Sequence, residues 1–327
     1  MANLLLLGGT GFVGRHLCEQ LQRAGHRVTV ATRRTPRMAA AAIQHLPAVT
    51  VLQANTNDAQ ALATLMAGHD AVVNLIAILH GNEAEFERAH VTQVQTIIDA
   101  CHSTGVHRLI HISALGAAQS ATSKYQRSKA RGEALLQTSG LEVTVLRPSV
   151  IFGADDRFLN TFARFQALLP VFPVPGGDTR FQPVWVEDVT RAIVYAIEHP
   201  GTIGQTVEAV GPEVYTLCEL AKMAGKAAGH DRMVFTQPTA LAYFQAVFLE
   251  MLPGVPLLST DNLSAMEVDN VASGQLPTLR DWGFTPASVP GILPTYLNPH
   301  LGVGGGRSYL TVLRDHASAP QRMTSKK

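Results

Sequence analysis

Short apolar runs alternate with amphipathic stretches through the first half of this 327-residue chain. Runs at 3–7, 27–32, 49–54, 71–76, 108–112 and 142–146 predict strands, several of them apolar almost throughout. Strands covered on both faces of a parallel sheet have that character. Val13, Leu17 and Leu21 recur every fourth residue and predict a helix over 12–24. Strand–helix alternation with right-handed crossovers gives an α/β fold built on a doubly wound parallel Rossmann sheet. After Arg147 and Pro148 the rhythm changes. Pro170, Pro173, Pro175, Gly176 and Gly177 predict a loop-rich passage, followed by a strand at 181–184, a helix at 187–199 and a strand at 206–210. Thr216 and Glu219 have capping-box spacing and predict a helix start, and 239–252 predicts another helix. The expected organisation is a doubly wound domain over 1–153 with returns at 178–212. A smaller, mostly helical C-terminal lobe comes from 154–177 and 213–300, and 301–327 form a basic, flexible tail.

Composition narrows the function classes. With 46% hydrophobic and 16% charged residues and a mean hydropathy of +0.11, the chain is too apolar for a disordered one. The net charge of +1 argues against nucleic acid as the main partner, which needs a clustered basic surface. That balance hides a local excess: Arg307, Arg314, Arg322, Lys326 and Lys327 face only Asp315 in the last 26 residues, leaving the rest mildly acidic. Such a tail suits an anionic membrane surface. Cys18, Cys101 and Cys218 are too few and too far apart for a disulfide framework or a metal site, so a cytoplasmic protein, peripheral to the inner face of a membrane, is the expectation. The histidines are scattered, and His107 and His111 fall on a strand, where they share no helical face, so no metal is expected. The opening leucines end at a glycine turn without a basic flank and read as a buried strand.

Gly8, Gly9, Thr10, Gly11, Phe12, Val13 and Gly14 stand between the first strand and an amphipathic helix. Glycines there let main-chain amides approach a pyrophosphate, and the helix N-terminus adds donors and a favourable dipole. The second strand runs into Arg33 and Arg34, with Arg37 close behind and no acid nearby. A carboxylate at that point would bind ribose hydroxyls and repel a 2′-phosphate, whereas a guanidinium clamps it, which favours NADPH over NADH. Tyr125 and Lys129, at i and i+4 on the helix after the fifth strand, form an acid/base candidate. The ammonium is expected to draw the phenol down from its usual pKa of about 10.

Together these features resemble the extended and atypical branches of the short-chain dehydrogenase/reductase superfamily over about the first 300 residues. The turn from Gly8 to Arg15, and the stretches 147–160 and 181–188, are especially similar to the family of the 39 kDa accessory subunit of respiratory complex I. That resemblance implies an NADP(H)-binding domain with a lobe over the nicotinamide end. It implies Tyr125 as acid/base, Lys129 as its partner and a ribose contact, and Ser113 as the hydrogen bond to the reacting oxygen. Asn74 and Ala77 would face the cofactor and Pro148 would border the nicotinamide. Asn55 stands where many relatives have an adenine-contacting aspartate. Ser113 lies only twelve residues before Tyr125, which leaves Ser120 and Ser123 as alternatives. Two functions follow: an oxidoreductase on a carbonyl or alcohol, quinone-related or isoprenoid, or a nucleotide-stabilised accessory or assembly protein of a membrane respiratory or quinone system.

Asp155, Asp156 and Arg157 read as a helix start, with Arg157 a candidate lobe contact. Leu241, Phe244, Phe248 and Met251 form a stripe at helical spacing, widened by Tyr243, Val247 and Leu249. The stripe fits a core helix of the lobe, a wall for a lipophilic substrate, or a helix lying on lipid or a membrane complex.

Overall fold

The computed structural model describes residues 1–33, 42–251 and 258–298. The first half runs β1 (Asn3–Leu7), α1 (Phe12–Arg23), β2 (Arg27–Thr32), β3 (Val49–Gln53), α2 (Ala59–Met66), β4 (Ala71–Asn74) and α3 (Glu83–Glu87). A π turn (Arg88–Thr92) carries α3 into α4 (Gln93–Thr104), followed by β5 (Arg108–Ile112), α5 (Lys124–Gln137) and β6 (Glu142–Pro148). The second half holds β7 (Ile151–Phe152), α6 (Leu159–Leu168), β8 (Val171–Pro175), β9 (Arg180–Phe181), β10 (Val184–Trp185), α7 (Val186–Glu198) and β11 (Thr206–Ala209). It ends with β12 (Tyr215–Thr216), α8 (Leu217–Ala227), β13 (Met233–Gln237), α9 (Thr239–Met251), α10 (Thr260–Ala265) and α11 (Val289–Leu297).

Seven strands form one parallel sheet in the order β11-β6-β5-β4-β1-β2-β3. The alternation of side chains in β1 explains its unbroken leucines. Leu4 and Leu6 pack on one face with Leu17 and Leu21 of α1 and Val189 and Ile193 of α7. Leu5 and Leu7 pack on the other with Leu62 and Met66 of α2 and Ile97 and Cys101 of α4. Each face removes its apolar side chains from water, worth about 1.5–3 kcal/mol per fully buried Leu or Ile.

α7 fastens the two halves. Its first-turn Glu187 bonds His16 Nδ1 (2.6 Å) and accepts from Gln20 Nε2 (2.7 Å), both on α1. Asp188 accepts from the Ala287 amide (2.7 Å) and Arg191 (2.5 Å). The strand expected at 181–184 is two short ones: β9 pairs β12 antiparallel and β10 pairs β7 parallel. The proline-rich passage expected as loop contains β8, which pairs β13 in parallel. Pro173 and Pro175 fit there because a two-stranded sheet leaves one edge of each strand without a neighbour that needs an N–H. Thr216 and Glu219 form the capping box on α8, at 3.2 and 2.7 Å.

Candidate functional site

The strand order reverses between β1 and β4, and the crevice beyond their carboxyl ends is where a doubly wound sheet binds ligands. β1 is followed by Gly8, whose φ of +83° is a left-handed conformation suited to glycine. A Cβ on Gly9 would lie 2.8 Å from Val30 Cγ1, and one on Gly14 would lie 2.5 Å from both Cα and O of Gly9. The turn is therefore pressed against both β2 and the first turn of α1. Gly11 is the N-cap, in extended conformation and without a side chain to cap the amides that follow, and no acid stands in the first turn of α1. Those amides and the helix dipole suit an anion. Thr10, Phe12 and Val13 are half-buried around this turn, with the Phe12 ring edge-on to His16 at 5.5 Å.

Arg33 follows β2 and is exposed, as is Asn55 just beyond β3. Asn55 Oδ1 accepts the amide of Asn57 (3.2 Å). Arg34 and Arg37 lie outside the described residues, as does the tail over 301–327. Asn74, the last residue of β4, donates to His111 Nδ1 (3.1 Å) and accepts the amide of Ile76 (3.1 Å), fixing the turn that leads to exposed Ala77. Pro148 is buried, and its carbonyl accepts the amide of Leu115 (2.9 Å).

Tyr125 and Lys129 occupy the first two turns of α5, whose N-cap is Ser123. Lys129 is 1% exposed, and its Nζ donates 2.7 Å to the carbonyl of Ile112 at the end of β5. Burial draws its pKa down to about 8, with Glu133 opposing. Burial pushes the Tyr125 phenol up to about 12. The expected lowering of the phenol is thus absent from the protein alone. The ammonium is turned to a main-chain carbonyl, and desolvation sets the phenol's shift.

Ser113 follows β5 directly. Its amide bonds the carbonyl of Leu146 (2.8 Å), while its buried Oγ has no hydrogen-bond partner among the described residues. Ser123 is committed elsewhere, accepting from the Gln126 amide (3.3 Å) and donating to Asp261 (2.8 Å). Ser120 is exposed. Of the three candidate hydroxyls, the buried one left unengaged is that of Ser113. Together with the close-packed glycines, it fits a dinucleotide with a substrate oxygen beside it.

Asp261 of α10 had no signal in the sequence, because its partners lie 136 to 138 residues earlier. Its carboxylate takes the amides of Lys124 (2.6 Å) and Tyr125 (3.2 Å), so a residue of α10 caps the tyrosine's helix. Asp156 is a capping residue, as its position suggested, accepting the amides of Gly153, Phe158 and Asn160 at 2.7–3.1 Å. Arg157 is exposed. Arg147 forks onto buried Glu133 at 2.5–3.1 Å, joining β6 to α5 one turn beyond Lys129. The helix at 239–251 is not a core helix. It buries Ala242 and Ala246 and exposes Leu241, Tyr243, Phe244, Val247, Phe248 and Met251.

The model of the NAD dependent epimerase/dehydratase family matches residues 4–215. NADH dehydrogenase (ubiquinone) 1 alpha subcomplex subunit 9, mitochondrial, of Mus musculus is 32% identical over 289 residues, covering 86% of this chain and 76% of that protein. Ceramide reductase of Caulobacter vibrioides is 26% identical over 225 residues, covering 68% of this chain and 70% of that one. The crystal structure of the dTDP-glucose 4,6-dehydratase DesIV from Streptomyces venezuelae with NAD bound shares the fold, with a TM-score of 0.68 at 21% identity over 89% of this chain and 94% of that one. The family match runs through the glycine turn, the tyrosine helix and β11, and the chain belongs to the NAD dependent epimerase/dehydratase family.

Proposed function

We propose that the protein is an NADPH-dependent oxidoreductase acting on a carbonyl or alcohol of a lipophilic, quinone-related or isoprenoid substrate. The observation that carries this reading is the unengaged, buried hydroxyl of Ser113, one strand end from the helix bearing Tyr125 and Lys129. Gly8, Thr10, Gly11, Phe12, Val13 and Gly14 would hold the pyrophosphate, Arg33 and Arg34 the 2′-phosphate, and Asn55 the adenine. Ala77 and Pro148 would border the nicotinamide, and Lys129 would bond its ribose. When bound, the nicotinamide supplies or accepts the hydride. Tyr125 moves the proton and Ser113 holds the reacting oxygen. With the phenol at about 12 and the ammonium at about 8, Tyr125 keeps its proton at neutral pH, the state that protonates a carbonyl as it is reduced.

The test is Tyr125→Phe beside wild type, with NADPH and NADH, across lipophilic aldehydes, ketones and quinones. Wild type should oxidise NADPH, and the variant should lose about 10²–10⁴-fold in kcat with NADPH affinity within about threefold. Tight NADPH binding with no turnover by either protein defeats the enzymatic reading. Tighter binding of NADH defeats the 2′-phosphate assignment.

The second reading is an accessory or assembly protein on a membrane respiratory or quinone complex, with the nucleotide as a fixed structural ligand. The exposed apolar face of α9 favours it, as does the mouse relative's name as a subunit of NADH dehydrogenase (ubiquinone). No described helix is long and apolar enough to cross a membrane. Phe244→Ser with Phe248→Ser should then release the protein from the membrane fraction. Unchanged fractionation rejects it.

A further inference from the structure

π turns are uncommon and gather at functional sites. The one joining α3 to α4 buries the side chain of His90. Its Nε2 accepts the amide N–H of Ile78 (3.1 Å), which leaves the proton on Nδ1, and Nδ1 donates to Ser128 Oγ (2.8 Å). Ser128 in turn donates to the carbonyl of Tyr125 (2.8 Å). The imidazole stacks on Phe86, with ring centres 5.7 Å apart, and stands edge-on to Tyr125 at 5.4 Å. A glycine within α5 makes the approach possible, since a Cβ on Gly132 would lie 2.2 Å from the carbonyl oxygen of His90. Glycine inside a helix costs about 1 kcal/mol relative to alanine, so this one has a packing reason.

Ile78 belongs to the loop that Asn74 shapes and that contains Ala77. We propose that His90 is a positioning residue, a neutral imidazole that ties this loop to the main chain of Tyr125 so that cofactor seating and tyrosine placement are set together. What the loop and the tyrosine do rests on the oxidoreductase reading; the tie itself does not. The arrangement needs an uncharged ring, because an imidazolium has two donors and cannot accept from Ile78. Burial first, and then the charge of Lys129, hold His90 down to about 3.

His90→Asn and His90→Gln separate the two ends of the tie. The asparagine amide can donate to Ser128 as Nδ1 does but falls short of Ile78. The glutamine carbonyl reaches as far as Nε2 and can accept from Ile78. His90→Asn should speed hydrogen exchange at the Ile78 amide about tenfold and weaken NADPH binding about five- to tenfold, as loss of one buried hydrogen bond does. His90→Gln should keep both within about threefold of wild type. Ser128→Ala, which cuts the tie at the tyrosine end, should lower kcat while Ile78 stays protected. Ile78 protection unchanged in His90→Asn, or lost equally in both His90 variants, overturns the proposal. Should wild type bind no NADPH, the functional reading fails, and the exchange measurement alone decides the tie.

Discussion

Lys129 is a cation held out of water, 1% exposed in the folded chain. Its pKa lies near 8 in the folded protein against 10.5 ordinarily, so between those values the unfolded chain binds more protons. Stability contributed by this group therefore rises with pH from about 8 to 10.5 and is lost as pH falls through 8. Tyr125 acts in the opposite sense at higher pH. Raised from 10.0 to about 12, it keeps its proton when folded, and its contribution falls away as pH climbs through that range. Replacing Lys129 with Met should remove the rise between pH 8 and 10, about 2 kcal/mol, from urea-unfolding midpoints. Parallel profiles for the two proteins would count against a buried ammonium.

At the scale of elements, the glycine turn depends on how closely β1 and α1 meet. Gly14→Ala sets a methyl 2.5 Å from the main chain of Gly9, and backbone cannot swing aside as a side chain can. The expected result is about 1–3 kcal/mol lost in unfolding and NADPH affinity lost with it, read by calorimetry and fluorescence titration. This turn, the Tyr125–Lys129 pair and the six leading strands were legible in sequence because each rests on local spacing. The strand ends at 3–7, 27–32 and 108–112 are those the apolar pattern marks. What escaped depends on neighbours. β8 hides behind Pro173 and Pro175 because only its pairing with β13 reveals an edge strand. The cap by Asp261 and the tie through His90 join residues distant in the chain, and no spacing rule reaches that far. The apolar stripe of α9 was visible, but only packing shows that two alanines face the protein instead.

On the whole molecule, the apolar surface is unevenly spread. Phe244 is 72% and Met251 79% exposed on α9, and Leu168 of α6, Val171 of β8 and Met233 and Phe235 of β13 are exposed as well. Six exposed apolar side chains on α9 alone are the kind of surface that marks an interaction site. Because Phe244 and Phe248 face away from the core, changing both to serine should alter folding stability by less than about 1 kcal/mol, measured in urea, whatever it does to membrane attachment. Any loss of attachment is then a loss of surface and not of fold. The grip of Glu187 on His16 and Gln20 carries a different consequence, one of timing. Glu187, which steadies α1, lies 171 and 167 positions after its two partners there, and β11, which covers the outer edge of β6, comes later still. During synthesis the glycine turn and the tyrosine helix leave the ribosome long before α7 can cover their sheet, so the nascent chain presents a bare apolar face and an open strand edge. For that interval the chain exposes the kind of surface that chaperones bind, and the sheet beneath its glycine turn is covered only once α7 and β11 have emerged.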